Sequence, residues 1–595
     1  MLSVTDAFLE LKDSHYPMIA KPRFHMSRIS LPVQSLPVQS LPVQSLIVQF
    51  LRNQTPGTGM LLALILLLGS CQPRQQEADL IVFNANAYTV DGEFSKAEAF
   101  AIRNGRFVGV GSTDSIRGAF VAPWMLNAGG KTIVPGLIDA HCHFLNLGLN
   151  QENVDLVGTT SFEQILDSLQ AAYQAHQPEY LMGRGWDQND WEVKEFPDKT
   201  ALDSLFPDIP VALVRIDGHA LLVNQQALDL AGITGNTQVP GGEVILKDGE
   251  PTGVLVDSPM QLVYEQWPAP GRDALIRALE EAQKICFSNG LTTVNDAGLS
   301  RYAIELIDSL QRKGALDIRV YAMISNTPEN LDYYLERGVY KTPKLNVRSV
   351  KVYGDGALGS RGAAMKAPYS DQPGHFGAMI TPAGELGSLA ERIAAAGFQM
   401  NTHAIGDSAN IAVLRAYRNA LDTVADPRWK VEHAQIVDTA DIALFSEKIL
   451  PSVQPTHATS DMYWAEDRVG PERMKGAYAF RQLLEASGRV ALGTDFPVER
   501  VNPMLTFYAA VTRKDSDGYP QGGFQMADAL TREQALKGMT RWAAYSNFEE
   551  DEKGSIEVGK RADFVILNGD LMEVPPEELK DIEVINTFVD GRKVY

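Results

Sequence analysis

Cysteine is scarce in this chain of 595 residues. The only three cysteines are Cys71, Cys142 and Cys286, and no two of them form a C-x-x-C pair. Three isolated cysteines exclude a disulfide framework and a C-x-x-C zinc motif. Any metal site must therefore be built from histidine, carboxylate or lysine side chains.

Basic residues are also in deficit. The chain has 53 Lys and Arg against 74 Asp and Glu, which gives a formal net charge of −21. A nucleic-acid-binding protein needs a basic face to neutralise phosphates, so we expect no nucleic-acid partner. The excess negative charge is typical of a soluble protein, and the 45% of hydrophobic residues are ample for a large core.

The apolar run Met60 to Leu68 has only nine residues, too few to span a bilayer as a helix. It suits the hydrophobic part of a signal peptide, and the following Leu-Gly-Ser-Cys ending at Cys71 resembles the lipobox of bacterial lipoproteins. We therefore expect residues 1–77 to be a leader and linker, including LPVQS repeated three times over 31–45. Lipidation at Cys71 would place the protein in the bacterial cell envelope, facing the periplasm or exterior, with the lipid as its only membrane contact. The alternative is a buried apolar segment.

Both ends of the remaining chain have β-strand character. Residues 78–132 contain Asn-Gly at 104–105, and residues 554–595 contain Asp-Gly at 590–591. Such dipeptides between apolar runs predict tight hairpins. Because each segment is too small to be stable alone, we predict one β-sandwich assembled from both. Two independent hairpins are the alternative.

Between these segments we predict an α/β fold, a (β/α)₈ TIM barrel over 133–553. A representative helix over Asp273–Asn289 has apolar residues at helical spacing and a final Asn-Gly stop signal. Strands that alternate with such helices favour the barrel. The eight predicted strands are 133–140, 291–296, 317–323, 346–354, 398–403, 429–434, 449–454 and 489–494.

The first two predicted strands are unusually far apart. The stretch from about 150 to 270 is too long for a loop in a compact domain. We predict that it forms a large α/β insertion after the first strand, placed over the barrel mouth, where it would shape a substrate pocket.

The end of the first predicted strand carries two histidines. Residues 133–145 read IVPGLIDAHCHFL, with His141 and His143 at i and i+2. In an extended strand these two side chains point to the same face and both can reach one metal ion, while Cys142 points away. Taken alone, the pair is equally consistent with two histidines satisfied by hydrogen bonds.

Other polar side chains stand at the predicted ends of later strands. His403 ends the fifth strand, His433 ends the sixth and Asp495 follows the eighth, while Lys351 lies inside the fourth. Catalytic groups of a (β/α)₈ barrel lie at the carboxyl ends of its strands. The coincidence of these residues with strand ends favours one shared metal site.

The order H-x-H, Lys, His, His, Asp resembles the amidohydrolase superfamily of metal-dependent hydrolases. The segments GLIDAHCHF, NTHAIGD, VEHAQ and GTDFPV look closest to the branch that contains N-substituted formamide deformylase. The resemblance runs from about Asp79 to Tyr595.

This resemblance implies one or two divalent ions, with Zn²⁺ expected first. It implies a first ion held by His141, His143, Lys351 and Asp495, and a second held by Lys351, His403 and His433. Lys351 would be carboxylated by CO₂ to bridge them. Asp495 would take a proton from the attacking water and deliver it to the leaving amine. Two alternatives stay open: an ion pair between Lys351 and Asp355 with a single metal, and Asp495 as a helix cap.

Weaker candidates stand elsewhere in the chain. His219 in the insertion and His457 after the seventh strand are candidates for contact with the substrate, and Asp355 and Arg361 follow Lys351 in a Gly-rich loop. We expect hydrolysis of a non-peptide C–N bond in a small-molecule amide. The alternatives are a cyclic amide, an ester or a phosphotriester as substrate, or a non-catalytic surface lipoprotein that uses the barrel for binding.

Overall fold

The computed structural model describes residues 75–595. The repeats, the apolar run and Cys71 lie outside the described residues. Within 75–595, no helix is long and apolar enough to cross a membrane.

Eight parallel strands form the central barrel. They pair in sequence order, each with the next. The ring is closed by main-chain hydrogen bonds of 2.8 Å from Asp495 N to His141 O and from His143 N to Phe496 O. The strands are β1 (Leu137–Cys142), β2 (Leu291–Leu299), β3 (Arg319–Ser325), β4 (Leu345–Tyr353), β5 (Gln399–Ala404), β6 (Trp429–His433), β7 (Ile449–Val453) and β8 (Ala491–Leu492). The predicted (β/α)₈ fold is confirmed.

Helices surround the barrel and bury their apolar faces against it. In Arg301–Lys313, Ser300 caps the first turn through its side chain and Gly314 ends the helix in a left-handed conformation. The predicted helix at 273–289 is present as Arg272–Ser288. The other α-helices of the barrel are Phe144–Leu149, Pro328–Arg337, Ala383–Ala395, Asp407–Ala420, Pro455–Asp461, Ala465–Met474, Phe480–Ser487, Pro503–Thr512, Arg532–Gly538 and Arg541–Ser546.

Short elements occur in the barrel, the insertion and the C-terminal segment. Tyr340–Lys341 pairs antiparallel with the start of β4. Single 3₁₀ turns lie at Asn150–Glu152, Gln188–Asp190, Ile442–Leu444 and Met526–Asp528, and a longer one at Pro576–Asp581.

Residues 80–135 and 564–593, near the two ends of the described residues, form one β-sandwich. Its smaller sheet has the order Arg106–Gly111, Ala99–Arg103, Leu80–Phe83, Trp124–Asn127. Its larger sheet has the order Arg592–Lys593, Val584–Val589, Phe564–Leu567, Thr132–Pro135, Asn86–Tyr88, Lys96–Ala97. Phe100 and Phe564 meet between the sheets with ring centroids 5.0 Å apart. Gln76–Glu77 pairs with Phe120–Val121 beside the helix Thr113–Ala119.

The first predicted strand, 133–140, is wrong as a single element. Thr132–Pro135 belongs to the sandwich, where it pairs with Phe564–Leu567, and only β1 belongs to the barrel. Gly136 separates them, and a Cβ atom there would lie 2.3 Å from Thr292 Oγ1. The close approach requires glycine, and the chain changes sheet at this residue.

The long segment after β1 is an α/β insertion, as predicted. Its six strands have the order Val154–Asp155, Leu181–Trp186, Val211–Arg215, Ala220–Val223, Glu250–Asp257, Gly242–Lys247. Its helices are Phe162–His176, Thr200–Leu205, Gln225–Ala231 and Met260–Tyr264. Apolar clusters on both faces of the sheet give the insertion a core of its own.

Candidate metal centre

The carboxyl ends of β1 and β8 meet at the barrel mouth. Asp139 accepts hydrogen bonds from Thr494 Oγ1 at 2.7 Å, from Thr494 N at 3.1 Å and from His141 N at 3.1 Å. This buried carboxylate therefore links the strand that carries His141 to the segment that carries Asp495.

His141 is entirely buried and oriented by Glu432. Its Nδ1 lies 2.7 Å from Glu432 Oε2, and Lys430 Nζ lies 3.2 Å from Glu432 Oε1. Burial would raise the pKa of Glu432, but Lys430 and His141 hold it well below its usual range. Because an ionised carboxylate can only accept hydrogen bonds, His141 Nδ1 carries the proton. The lone pair of Nε2 therefore points into the barrel mouth.

His433 and Asp495 share an uncommon backbone conformation. Their φ angles are +70° and +62°, in the left-handed region that non-glycine residues rarely adopt. His433 is the last residue of β6, and Asp495 lies three residues beyond the end of β8. At these positions the left-handed conformation turns the side chain towards the barrel mouth. His433 Nδ1 donates to Gln454 Oε1 at 2.8 Å. Backbone strain at two residues that are distant in sequence but close in space is typical of functional sites.

Three predicted ligands lie closest together. Single donor atoms of His141, His433 and Asp495 all lie within 4.8 Å of one another. His143 also reaches this group, because its Nε2 lies 3.3 Å from Asp495 Oδ1. Burial lowers the pKa of His141 to about 4 and that of His433 well below its usual range, so both imidazoles are neutral at pH 7.

Lys351 and His403 complete the predicted ligand set. Lys351 Nζ lies 3.1 Å from His141 Nε2, and burial lowers the pKa of Lys351 to about 8. The ring of His403 lies 4.5 Å from that of His433, centroid to centroid. His403 Nε2 lies 3.4 Å from Gly356 O. The structure thus brings all six predicted ligand residues to one mouth.

The structure does not contain the alternative ion pair between Lys351 and Asp355. Asp355 accepts hydrogen bonds from the main-chain N–H groups of Ala364, Ile405 and Gly406, at 2.8, 3.0 and 2.8 Å. Among the described residues, no Lys351–Asp355 contact within 4.0 Å occurs. Asp355 therefore shapes the loop after β4 and leaves Lys351 to the barrel mouth.

Asp495 does not cap the helix that follows β8. That helix, Pro503–Thr512, is capped by Asn502, whose side chain accepts from Met504 N. Burial would raise the pKa of Asp495, but the neighbouring imidazoles, with His143 first, hold it well below its usual range. Asp495 is therefore an ionised carboxylate that faces imidazoles.

These residues fit a divalent metal ion. Asp495 Oδ1 is buried and accepts no hydrogen bond of good geometry from any residue in 75–595, although His143 Nε2 is near. A buried charged oxygen without a donor is costly. Neutral imidazole nitrogens and a carboxylate are the donors that zinc and similar ions take.

His219 and His457 flank the predicted ligands. His219 Nδ1 pairs with Asp257 Oδ1 at 2.6 Å, and its ring lies 4.9 Å from that of His403. The ring of His457 stacks on that of His433 at 5.9 Å, and its Nε2 lies 3.9 Å from Asp495 Oδ2. Both candidates are therefore beside the centre. Arg361 is not beside this centre, because its guanidinium pairs with Asp371.

A cavity of about 1290 Å³ opens above these side chains. Its floor includes Lys351, His403, His433 and Asp495, and its walls come from the insertion and from the loop after β8. This volume is large enough for a small-molecule ligand.

The sequence interpretation missed Glu432 and Asp257. Glu432 lies in the quoted segment VEHAQ, and Lys430 stands two residues before it in the same buried strand. Two opposite charges at i and i+2 of a buried strand share one face and must be paired, and that signal was available. Asp257 carried no such signal, because its partner His219 is distant in sequence.

Known proteins resemble this chain over most of its length. The profile of the amidohydrolase family matches residues 125–595. The N-substituted formamide deformylase of Arthrobacter pascens is 28% identical over 87% of this chain and 98% of its own. The Arabidopsis thaliana protein LONG AFTER FAR-RED 3 is 34% identical over 87% of this chain and 92% of its own.

A solved structure shares the fold. The uncharacterized metal-dependent hydrolase from Pyrococcus horikoshii superposes with a TM-score of 0.68 at 27% identity. The match covers 84% of this chain and 99% of that one.

Proposed function

Because the chain belongs to the amidohydrolase family, we propose that it hydrolyses a non-peptide C–N bond in a small-molecule amide. The observation that carries the proposal is the group of His141, His433 and Asp495, whose donor atoms lie within 4.8 Å of one another. The match to N-substituted formamide deformylase makes formamides the first substrates to test.

The proposed ligand assignment uses all six predicted ligand residues. His141, His143, Lys351 and Asp495 would hold one ion, and Lys351, His403 and His433 would hold a second, so that the group of His141, His433 and Asp495 would contribute to both. Divalent ions in such a site, which we propose to be Zn²⁺, lower the pKa of water and polarise a carbonyl group. Glu432 and Gln454 orient two of the imidazoles through the nitrogen atoms that face away from the mouth.

Lys351 is proposed to be a carbamate. Burial lowers its pKa to about 8, so a useful fraction of the amine is neutral at physiological pH. The neutral amine adds to CO₂ and loses one proton, which leaves an anionic carbamate. The two oxygens of the carbamate could each bind a metal ion, whereas an ammonium ion has no lone pair to do so. A native mass spectrum that shows one added CO₂, absent from Lys351→Arg, would support this assignment.

Asp495 is proposed to transfer a proton from the attacking water to the leaving nitrogen. It is ionised and faces the mouth, so its carboxylate accepts a proton from the attacking water as the new C–O bond forms. The same proton then passes to the leaving nitrogen as the C–N bond breaks. His457 and His219, beside His433 and His403, contact the substrate.

The experiment compares wild type with His141→Ala and Asp495→Asn on N-substituted formamides, cyclic amides, carboxylic esters and phosphotriesters. We expect hydrolysis of an amide by the wild type and a loss of at least about a hundredfold in each variant, with circular dichroism unchanged. Full turnover in either folded variant would refute the mechanism. Hydrolysis of esters or phosphotriesters alone would refute the bond assignment.

A lipid anchor at Cys71 remains part of the proposal. The apolar run and lipobox-like sequence before Cys71 support it. Intact mass of protein extracted from bacterial membranes is expected to correspond to a chain that begins at lipidated Cys71. Residues 1–70 still attached would contradict it.

A further inference from the structure

Arg184 connects the insertion to the barrel mouth. It lies on the insertion strand Leu181–Trp186. Its Nη1 donates to Pro497 O at 2.7 Å and its Nη2 donates to Ile216 O at 2.9 Å. Pro497 is two residues beyond Asp495, so the guanidinium is fixed close to the proposed reaction centre and lines the same cavity.

Within the part of the chain that the structure describes, the Arg184 guanidinium has no counter-ion. Over residues 75–595, no carboxylate lies within 4.0 Å of Arg184. The neighbouring Arg215, also in the cavity wall, differs sharply, because it is paired with both Asp187 and Asp217. Burial lowers the pKa of Arg184, since the more distant Asp495 and Asp217 offset only part of the cost.

A guanidinium offers five N–H groups, and the two carbonyl oxygens occupy two of them. The remaining donors belong to a half-buried cation that lines a cavity. A carboxylate accepts two parallel hydrogen bonds from such a fork. A dianionic group would be opposed by Asp155 and Asp217, which also line the cavity, whereas a single negative charge balances one guanidinium.

We propose that Arg184 binds a carboxylate carried by the substrate, so that the substrates are small amides of acidic molecules, such as N-acyl amino acids. The amide nature of the substrate rests on the proposed function. Carboxylate binding at Arg184 does not, because it can be measured without turnover. Because Arg184 is held at Pro497, it would orient the substrate relative to Asp495, which is a direct route to rate enhancement.

The test measures binding without turnover. The probes are N-methanesulfonyl-L-phenylalanine and N-methanesulfonyl-L-phenylalaninol, which differ by a carboxylate and contain no amide carbonyl. Isothermal titration calorimetry on the full-length, zinc-loaded protein gives the ratio of their dissociation constants. The variants are Arg184→Gln, Arg184→Lys and, as a matched control, Arg500→Gln, an exposed arginine at the cavity rim.

We expect the wild type and Arg500→Gln to prefer the carboxylate at least tenfold, and Arg184→Gln to show a ratio near one. Arg184→Lys keeps the charge but loses the fork, so its ratio should fall at least threefold, and this variant decides the question if Arg184→Gln does not fold. A wild-type ratio near one, or an unchanged ratio in the Arg184 variants, would overturn the proposal. Carboxylate binding through Arg184 with no amide hydrolysis would keep the site and reject the proposed reaction.

Discussion

His141 Nδ1 lies 2.7 Å from Glu432 Oε2, and both side chains are fully buried. The contact joins β1 to β6 across the barrel and fixes which nitrogen of His141 faces the mouth. Glu432 in turn balances Lys430, whose Nζ is 3.2 Å away. One buried carboxylate therefore has two roles, in orienting a proposed ligand and in compensating a buried cation.

The first prediction separates these roles. Glu432→Gln should lower zinc affinity about 10- to 100-fold, because the partner that orients His141 loses its charge. It should also destabilise the protein by about 3 kcal/mol or more, because Lys430 is left buried without a counter-ion. Competition with a chelator and urea unfolding measure the two effects.

The double variant Lys430→Met/Glu432→Gln is the control for the first prediction. Removing both charges should restore most of the free energy of unfolding but not the zinc affinity. If the affinity returned together with the stability, Glu432 would have no specific role at His141.

The second prediction concerns the pH dependence of the metal-free protein. Burial holds the pKa of His141 at about 4 in the folded state, below the value of about 6.5 expected in the unfolded chain. The folded state therefore resists protonation of His141, so its contribution to stability is present above pH 6.5 and is lost as pH falls towards 4. The size of this contribution is about 3 kcal/mol.

Urea unfolding of wild type and His141→Gln between pH 7.5 and 4.5 isolates this effect. The free energy of unfolding of the wild type should fall more steeply with acidification than that of His141→Gln. Parallel curves would show that His141 is not a buried neutral imidazole in the metal-free protein.

The third prediction concerns metal removal. Dialysis against a chelator should abolish activity but leave the far-ultraviolet circular dichroism unchanged, because the hydrogen bonds that His141 donates to Glu432 and that His433 donates to Gln454 hold two proposed ligands in place without the ion. Adding zinc back at about 1,000 times its dissociation constant should raise the free energy of unfolding by about 4 kcal/mol. Activity that survives complete metal removal would contradict the metal-dependent mechanism.

The fourth prediction tests the contact between β1 and β8. A Cβ atom at Gly493 would lie 2.6 Å from His141 N and 2.7 Å from Asp139 Oδ1. Gly493→Ala must therefore push the two strand ends apart, with a cost of about 1–3 kcal/mol and weaker zinc binding. Gly387→Ala is the matched control, since among the described residues no atom beyond its chain neighbours and its own helix backbone lies within 4 Å of the added methyl group. Equal behaviour of the two variants in unfolding and zinc titration would argue against this role.

Much of the barrel was predictable because its strands are apolar runs between helices with clear start and stop signals. The first strand was misjudged because 133–140 is one continuous apolar run, and only the packing of Gly136 against Thr292 splits it. The eighth was predicted as 489–494 but is regular only at Ala491–Leu492. Beyond Leu492, Thr494 binds the Asp139 side chain in place of a strand partner.

That the candidate ligands share one end of the barrel was predictable, because His141, His143, His403, His433 and Asp495 lie at or just after predicted strand ends and Lys351 lies inside the fourth predicted strand. Their orientation was not, since nothing in the sequence reports the positive φ of His433 and Asp495. Arg184 illustrates the same limit. Its residue type is visible in the sequence, but the absence of a nearby carboxylate among residues 75–595 is a property of the folded insertion.

The change of sheet at Gly136 also determines the order in which strands can pair during synthesis. The sandwich strand Thr132–Pro135 leads directly into β1, yet its neighbour on one side is Phe564–Leu567. That neighbour does not exist until residues 136–563 have been translated, and the barrel ring closes only at β8 and Asp495. During synthesis, His141 and His143 therefore meet the other proposed ligands only after the chain has been extended to Asp495. Any metal ion that this candidate site binds would accordingly be acquired late in synthesis, once Asp495 is in place.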